Sequence, residues 1–304
     1  MSLKQIIKKN QTLYKIAKYL YDWHQTSIFN HQDHIQFQIR RREKCCRKKF
    51  GISHKVSDSF LDSRTFWVLY NVTQNIVKKN SPDDWIFVDV GASNGWYTHL
   101  MQKLSPSSSF IMFEPLPKHN NHVHKKKENT LFFPLALGKE EGTIKFLENL
   151  SCDGLSSMYP INTDYKHFHA NYDNQKIKEI TIPVKTMDRV FLENDLLRDK
   201  SNIFLKMDCQ GGEFDVLKGS KDLLSDKIKV VHMEIQLVNK YNVDYHYTEL
   251  YNFMLKNGFV LFDINPTYKE KNCVPDLFGY EGQLTELEIV FIKKELSLIP
   301  EKLF

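Results

Sequence analysis

The segment Trp85–Tyr97, WIFVDVGASNGWY, constrains this chain more than any other stretch. Ile86–Val90 is a short apolar run with branched residues at alternate positions, which reads as a buried strand. The chain then turns through Gly91-Ala92-Ser93-Asn94-Gly95 into a helical pattern, Trp96–Leu104, stopped by Ser105-Pro106. Gly91 and Gly95 permit a tight turn and a close approach to the main chain. A helix start aims N–H groups at whatever lies above the strand end, and open α/β sheets bind ligands outside the carboxyl ends of their strands. The segment therefore predicts a nucleotide-like ligand, against the alternative of a generic strand–turn–helix. Its GxxxG spacing is not the GxGxxG of dinucleotide sites. An acid, Asp89, precedes the first glycine by two residues. A second strand, Phe110–Phe113, ends in Glu114, placed where a carboxylate can accept both hydroxyls of a ribose.

The same alternation continues along the chain. Pro115 and Pro117 open a helix through Lys127, Leu131–Leu135 is a third strand, and Ala136-Leu137-Gly138 leaves it. Gly142–Leu147 and Ile180–Val184 are two β-type runs. The polar segment Ser151–Gln175 between them carries Tyr159, Tyr165, His167, Phe168, His169 and Tyr172, which suits either acceptor selection or a surface insertion. Ile203–Met207 is a strand ending at Asp208, followed by Gly211-Gly212 and a helix, Glu213–Gly219. Val230–Ile235 is a strand carrying His232 and Glu234. A helix from Tyr245 to Lys256 stops at Asn257-Gly258, and Phe259–Ile264 and Leu287–Lys293 complete the strands. Strands alternating with helices predict an α/β fold, a Rossmann-like doubly wound and mostly parallel sheet.

The pieces FVDVGASNGWYT, FIMFEPLPKHNNHV, LALGKEEG, VKTMDRV, FLKMDCQGGEFDVLKG and ELEIVFIK together resemble the FkbM-type S-adenosylmethionine-dependent methyltransferases, in the family's order, over roughly residues 85–295. The resemblance implies a class I methyltransferase sheet of seven strands, the last antiparallel beside the sixth. It implies S-adenosylmethionine as cofactor, held by Asp89, Gly91, Ala92, Asn94, Gly95, Tyr97 and Glu114, with adenine on Ala136 and Leu137. The acceptor it implies is a hydroxyl on a sugar, glycan or similar natural product. Asp188, in Lys185-Thr186-Met187-Asp188, matches a family element that positions a loop. The block KxDxxGxE is present as Lys206–Glu213, but Cys209-Gln210-Gly211-Gly212 stands where Val-Glu-Gly-Ala is usual.

Charge divides the chain. Residues 1–50 hold twelve Lys/Arg against three acids, a net +9, while the other 30 bases and 34 acids give −4. We expect a basic, helical N-terminal extension over 1–60 and the methyltransferase domain over 61–304, entered by a helix Leu61–Lys79. Leu3, Ile6, Ile7, Leu13, Ile16, Ala17, Leu20 and Trp23 recur at helical spacing among lysines. Such a helix either packs on its own domain or lies on an anionic membrane through residues 1–24. Arg40–Lys49 is a second basic block without interleaved stacking aromatics, so no nucleic-acid binding is expected. The sequence has no apolar run of about 18 residues and no signal-peptide core. Its five cysteines (Cys45, Cys46, Cys152, Cys209, Cys273) form no CxxC. A reducing, cytoplasmic location is expected, peripheral to a membrane if the helix docks there.

Methyl transfer from a sulfonium needs alignment, and a hydroxyl acceptor needs a base. Asp208, His232 and Glu234 are the strand-end candidates. Asp208 follows Lys206-Met207 and should point into the cleft. His232 alternates within an apolar strand and reads better as a supporting histidine than as the base. Mg²⁺ shared by Asp208 and Glu234 is the possible but less favoured alternative, because no dedicated ligand spacing is present and Gln210 removes a carboxylate. Two rival readings share the sheet: a nicotinamide-dependent oxidoreductase, disfavoured by the GxxxG spacing and the lack of an obvious metal-ligating Cys/His pair, and a non-catalytic partner subunit that binds S-adenosylmethionine.

Overall fold

The computed structural model describes residues 69–120, 129–162, 164, 176–194, 202–270, 283–297 and 299. The expected N-terminal helix, the Arg40–Lys49 block, the helix expected beyond Asn120 and the aromatics Tyr165–Tyr172 lie outside these residues. Of the helix expected over Leu61–Lys79, the closing turns Thr73–Val77 and Lys78–Asn80 are described. The described residues from Tyr70 onward belong to one compact unit. Among the described residues, no helix is long and apolar enough to cross a membrane.

Strands β1 (Trp85–Val90), β2 (Ser109–Phe113) and β3 (Thr130–Phe133) pair in parallel, with helix α1 (Trp96–Leu104) between the first two. β1 is buried at all six positions, as a strand covered on both faces must be. β3 is shorter than the apolar run Leu131–Leu135 suggests. Pro134 lacks the N–H that would continue the ladder, and the Leu135 N–H turns back onto the Phe133 carbonyl at 2.9 Å. The chain then leaves the main sheet. β4 (Ala136–Leu137), β5 (Gly142–Asn149) and β6 (Ile177–Lys185) form a separate three-stranded sheet in the order β4-β6-β5.

After β6 come α2 (Met187–Glu193), β7 (Asn202–Met207), α3 (Glu213–Lys218), α4 (Lys221–Asp226), β8 (Ile228–Gln236), α5 (Tyr247–Lys256), β9 (Phe259–Glu270) and β10 (Gln283–Lys293). The main sheet runs β3-β2-β1-β7-β8-β10-β9. β1, β2, β3, β7 and β8 are parallel, and β10 is antiparallel to both β8 and β9. This is the seven-stranded, mostly parallel, Rossmann-like sheet that the resemblance implies, with its last strand antiparallel between β8 and β9.

Alternation along the strands sorts the side chains onto two faces. On one, Val88, Val90, Ile111, Phe113, Leu205, Met207, Val231 and Met233 join the buried core with Met187, Phe214, Leu224 and Met254 from α2, α3, α4 and α5. On the other, Phe87 stacks between Phe110 and Phe204, at 5.5 and 5.0 Å between ring centres. α5 begins two residues later than its pattern suggests, because Glu249 accepts the His246 N–H at 3.1 Å and so fixes the helix start.

Candidate active site

Parallel pairing sets Asp89, Lys206 and His232 side by side on β1, β7 and β8: Asp89 is the register partner of Lys206, and Lys206 of His232. All three are buried. Lys206 Nζ lies 3.1 Å from Asp89 Oδ1 and 3.9 Å from Asp208 Oδ2, and donates to the Gly91 carbonyl at 3.3 Å. Burial pulls the pKa of this ammonium down, but the charges of Asp89 and Asp208 outweigh it and raise it above the ordinary lysine value. Lys206 therefore ties the glycine turn to the Asp208 strand end. The sequence marks it as the first residue of the Lys206–Glu213 block, but its pairing with Asp89 and the glycine turn was not legible there.

α1 closes this row from above. Thr98 donates its hydroxyl to Asp89 Oδ2 at 2.8 Å, and the Tyr97 hydroxyl meets His232 Nδ1 at 3.0 Å. The Lys206 ammonium lies 5.4 Å from the Tyr97 ring centre. Burial first, then the charges of Asp89 and Glu288, push the Tyr97 phenol well above its usual pKa, so it stays protonated. His232 Nε2 faces Glu288 on β10 at 3.7 Å. Tyr97 and His232 are thus buried and engaged with each other. Through this contact His232 joins β8 to α1.

The turn itself differs from expectation in one respect. Its N–H groups are largely used by the protein. Gly91 and Ala92 donate to the Phe113 carbonyl, Gly95 to Ala92, and Trp96 to Asn94 Oδ1. Ser93, in the left-handed region at φ 47°, donates to Glu114 Oε2 at 2.8 Å. The physical reason is that the chain extends the β1–β2 ladder past Val90 before it turns. Glu114 is 5% exposed and accepts the Leu116 N–H through Oε1 at 2.9 Å. Burial raises its pKa, and the Leu116 and Ser93 donors partly offset this. Each carboxylate oxygen keeps a further lone pair, which leaves Glu114 able to receive a diol while it pins the turn. Ala136 and Leu137 are buried in the small sheet, paired with Val184 and Lys185.

Across the turn, Asp208 ends β7, its N–H donating to the Val90 carbonyl at 3.1 Å. Its side chain is 30% exposed, open to the cleft. Gln210 joins Asp208 to Glu234 on β8: its Nε2 lies 2.8 Å from Asp208 Oδ1 and 3.5 Å from Glu234 Oε1. Burial, then the charge of Asp208, raises the Glu234 pKa, with Lys240 opposing. Glu213, buried at the start of α3, accepts the Cys209 and Gly211 N–H groups at 2.6 and 3.0 Å and so shapes the 208–212 turn. Burial pushes its pKa up to about 7 despite those donors. Tyr241 and Tyr245 donate to Gln210 Oε1 and to the Gly211 carbonyl. Gln210 and Glu213 stand out in the sequence only as parts of the Lys206–Glu213 block, which does not disclose these partners, and Tyr241 and Tyr245 carry no signal there. Asp188 accepts the Asp222 and Leu223 N–H groups at 3.0 Å each, capping α4 and holding it against α2. Among the described residues, no three His, Cys, Asp or Glu side chains are grouped to hold a metal ion.

Strand order, glycine turn and the acid at the end of β2 together define the methyltransferase class. The sequence pattern of the Methyltransferase FkbM domain matches residues 89–261, more than half of the chain, and the chain belongs to that family. It is similar to "Methyltransferase 1" of Beauveria bassiana (strain ARSEF 2860), with 27% identity over 170 residues. That match covers 51% of this chain and 66% of the relative, so it spans slightly less than two thirds of the relative's length. Solved structures with a partial likeness include the precorrin-6y C5,15-methyltransferase of Geobacter metallireducens GS-15, at 11% identity and a TM-score of 0.38, covering 80% of this chain and 95% of that one. Another is the magnesium protoporphyrin IX methyltransferase of Synechocystis PCC 6803 with bound SAM, at 6% identity and a TM-score of 0.38, covering 87% and 98%. Family membership sets aside the nicotinamide oxidoreductase reading.

Proposed function

We propose that this chain binds S-adenosylmethionine over the Gly91–Gly95 turn and directs its methyl group to a hydroxyl oxygen of a sugar, glycan or related natural product. The observation that carries this reading is that two acids flank one turn and are tied to it through main-chain groups. Glu114 accepts the Ser93 N–H, and the Asp208 N–H bonds to Val90 one residue before Gly91. The residues present suit the cofactor. A buried carboxylate with spare lone pairs faces the place for a ribose diol, and Gly95, at φ 79°, takes a backbone conformation that favours glycine. S-adenosylmethionine, when bound, supplies a methyl group already activated as a sulfonium. Glu114 holds the ribose, with Asp89, Gly91, Ala92, Asn94 and Gly95 forming the rest of that side. Tyr97 supports it, and Ala136 and Leu137 border the adenine. Asp208 takes the acceptor's proton or orients its hydroxyl, with Glu234 beside it.

Calorimetric titration with S-adenosylmethionine, followed by assay of adenosylhomocysteine release over a panel of glycan acceptors, tests the reading. Binding without turnover on any acceptor favours a non-catalytic partner subunit. A second reading concerns placement: the +9 of residues 1–50 favours docking of residues 1–24 to an anionic membrane, each basic residue adding about 1 kcal/mol at low salt. Co-sedimentation with phosphatidylserine vesicles is expected to fall on deletion of residues 1–24 or at high salt, and equal sedimentation would remove this reading.

A further inference from the structure

Gln210 stands between the two acceptor-side acids. Its backbone occupies the left-handed region at φ 52°, a conformation that disfavours residues other than glycine and is kept only where the surroundings enforce it. The enforcing contacts are visible. The Gln210 carbonyl accepts the Ser157 hydroxyl at 2.7 Å, and Oε1 accepts the Tyr241 hydroxyl at 2.9 Å. With the oxygen of the amide held by Tyr241, the nitrogen faces Asp208 and Glu234. The same orientation suits the chemistry, because an amide nitrogen donates to carboxyl oxygens, whereas an amide oxygen turned toward an unprotonated one would be repelled.

We propose that Gln210 is the positioning residue of the acceptor side: its amide donates toward the carboxyl groups of Asp208 and Glu234 together, taking between them the place that a bridging cation would take, and so holds Asp208 oriented. The groups facing the pair are on the page. Asp208 meets Lys206 from β7, Glu213 from α3 and Glu234 from β8. Glu234 meets Asp208, Lys240, Glu213 and Glu288. Gln210 is the neutral donor in this set. A glutamate in its place would add a third carboxylate where two already crowd each other, an arrangement that oxygen-seeking divalent cations favour.

The inference rests on the reading of Asp208 as the acceptor-side acid. Its test uses the full chain as wild type, Gln210→Met and Gln210→Glu, with ¹³C-carboxyl NMR titration of labelled aspartate and the Asp208 signal assigned through Asp208→Asn. All three share the backbone strain at 210, so it cancels from the comparison. Loss of the donor in Gln210→Met is expected to displace the Asp208 titration measurably from wild type, and Gln210→Glu to displace it further. Free Mn²⁺, followed by electron paramagnetic resonance, is expected to be depleted by Gln210→Glu well beyond wild type and Gln210→Met. An unchanged Asp208 midpoint in the folded variants, or equal Mn²⁺ depletion by all three proteins, overturns the proposal. If Gln210→Met does not fold, Gln210→Glu carries both measurements. Calorimetry with S-adenosylmethionine on the same proteins separates the two readings: absent binding by wild type defeats the proposed function, while the Asp208 midpoint still decides the role of Gln210.

Discussion

The Asp208 carbonyl oxygen lies against Gly91 so closely that a Cβ on Gly91 would meet it at 2.0 Å. The turn that would receive the cofactor and the strand end that would face the acceptor are therefore in main-chain contact. Gly91 also adopts φ 72°. Gly91→Ala is expected to lose about 1–2 kcal/mol from the left-handed backbone alone, with the clash added to it. Urea unfolding should show a drop of at least that size. An alanine variant as stable as wild type would contradict the contact.

Glu114→Ala removes the acceptor proposed for the ribose diol. A hydrogen bond to a charged group is worth about 1.5–3 kcal/mol, so affinity for S-adenosylmethionine should fall roughly 10- to 100-fold. The Ser93 and Leu116 N–H groups lose their acceptor as well, so the variant's fold must be checked by circular dichroism before calorimetry. Unchanged affinity in a folded variant sinks the assignment.

Asp208→Asn keeps the shape of the side chain and removes the proton acceptor. Once an acceptor is found, turnover should drop about 10²- to 10⁴-fold. Cofactor affinity should change far less, since the turn and Glu114 remain. A variant that loses cofactor binding and keeps its rate at saturation would make Asp208 a cofactor ligand.

Glu213 links stability to pH. Its folded pKa of about 7 lies above the ordinary 4.5, so between those values the folded state holds a proton that the unfolded state has released. Stability therefore falls as pH rises through this window, by on the order of 3 kcal/mol for this group, and is flat above it. In Glu213→Gln this contribution should vanish. The variant sacrifices one of the two hydrogen bonds from Cys209 and Gly211 at every pH, about 1 kcal/mol. Urea unfolding of both proteins from pH 4.5 to 8 measures the difference in slope. Parallel curves would show that burial does not raise this carboxyl.

The sequence determined what is local. Branched residues alternating over Ile86–Val90, the glycines after them, Ser105-Pro106 at the end of α1 and the acid closing β2 are each decided by neighbours a few positions away. Their periodicity and turn chemistry survive in the structure nearly unchanged. Pro134 was equally visible, and its missing N–H ends β3 where hydrophobicity alone would carry it on. What only the tertiary structure decided is register between strands distant in the chain. Nothing near Lys206 in sequence says that its neighbours are Asp89, 117 positions before it, and His232. Nothing near Gln210 says that its amide meets Glu234 and that Tyr241 holds it there. A buried charge or amide takes its meaning from the partner that compensates its desolvation, and that partner is brought by the fold.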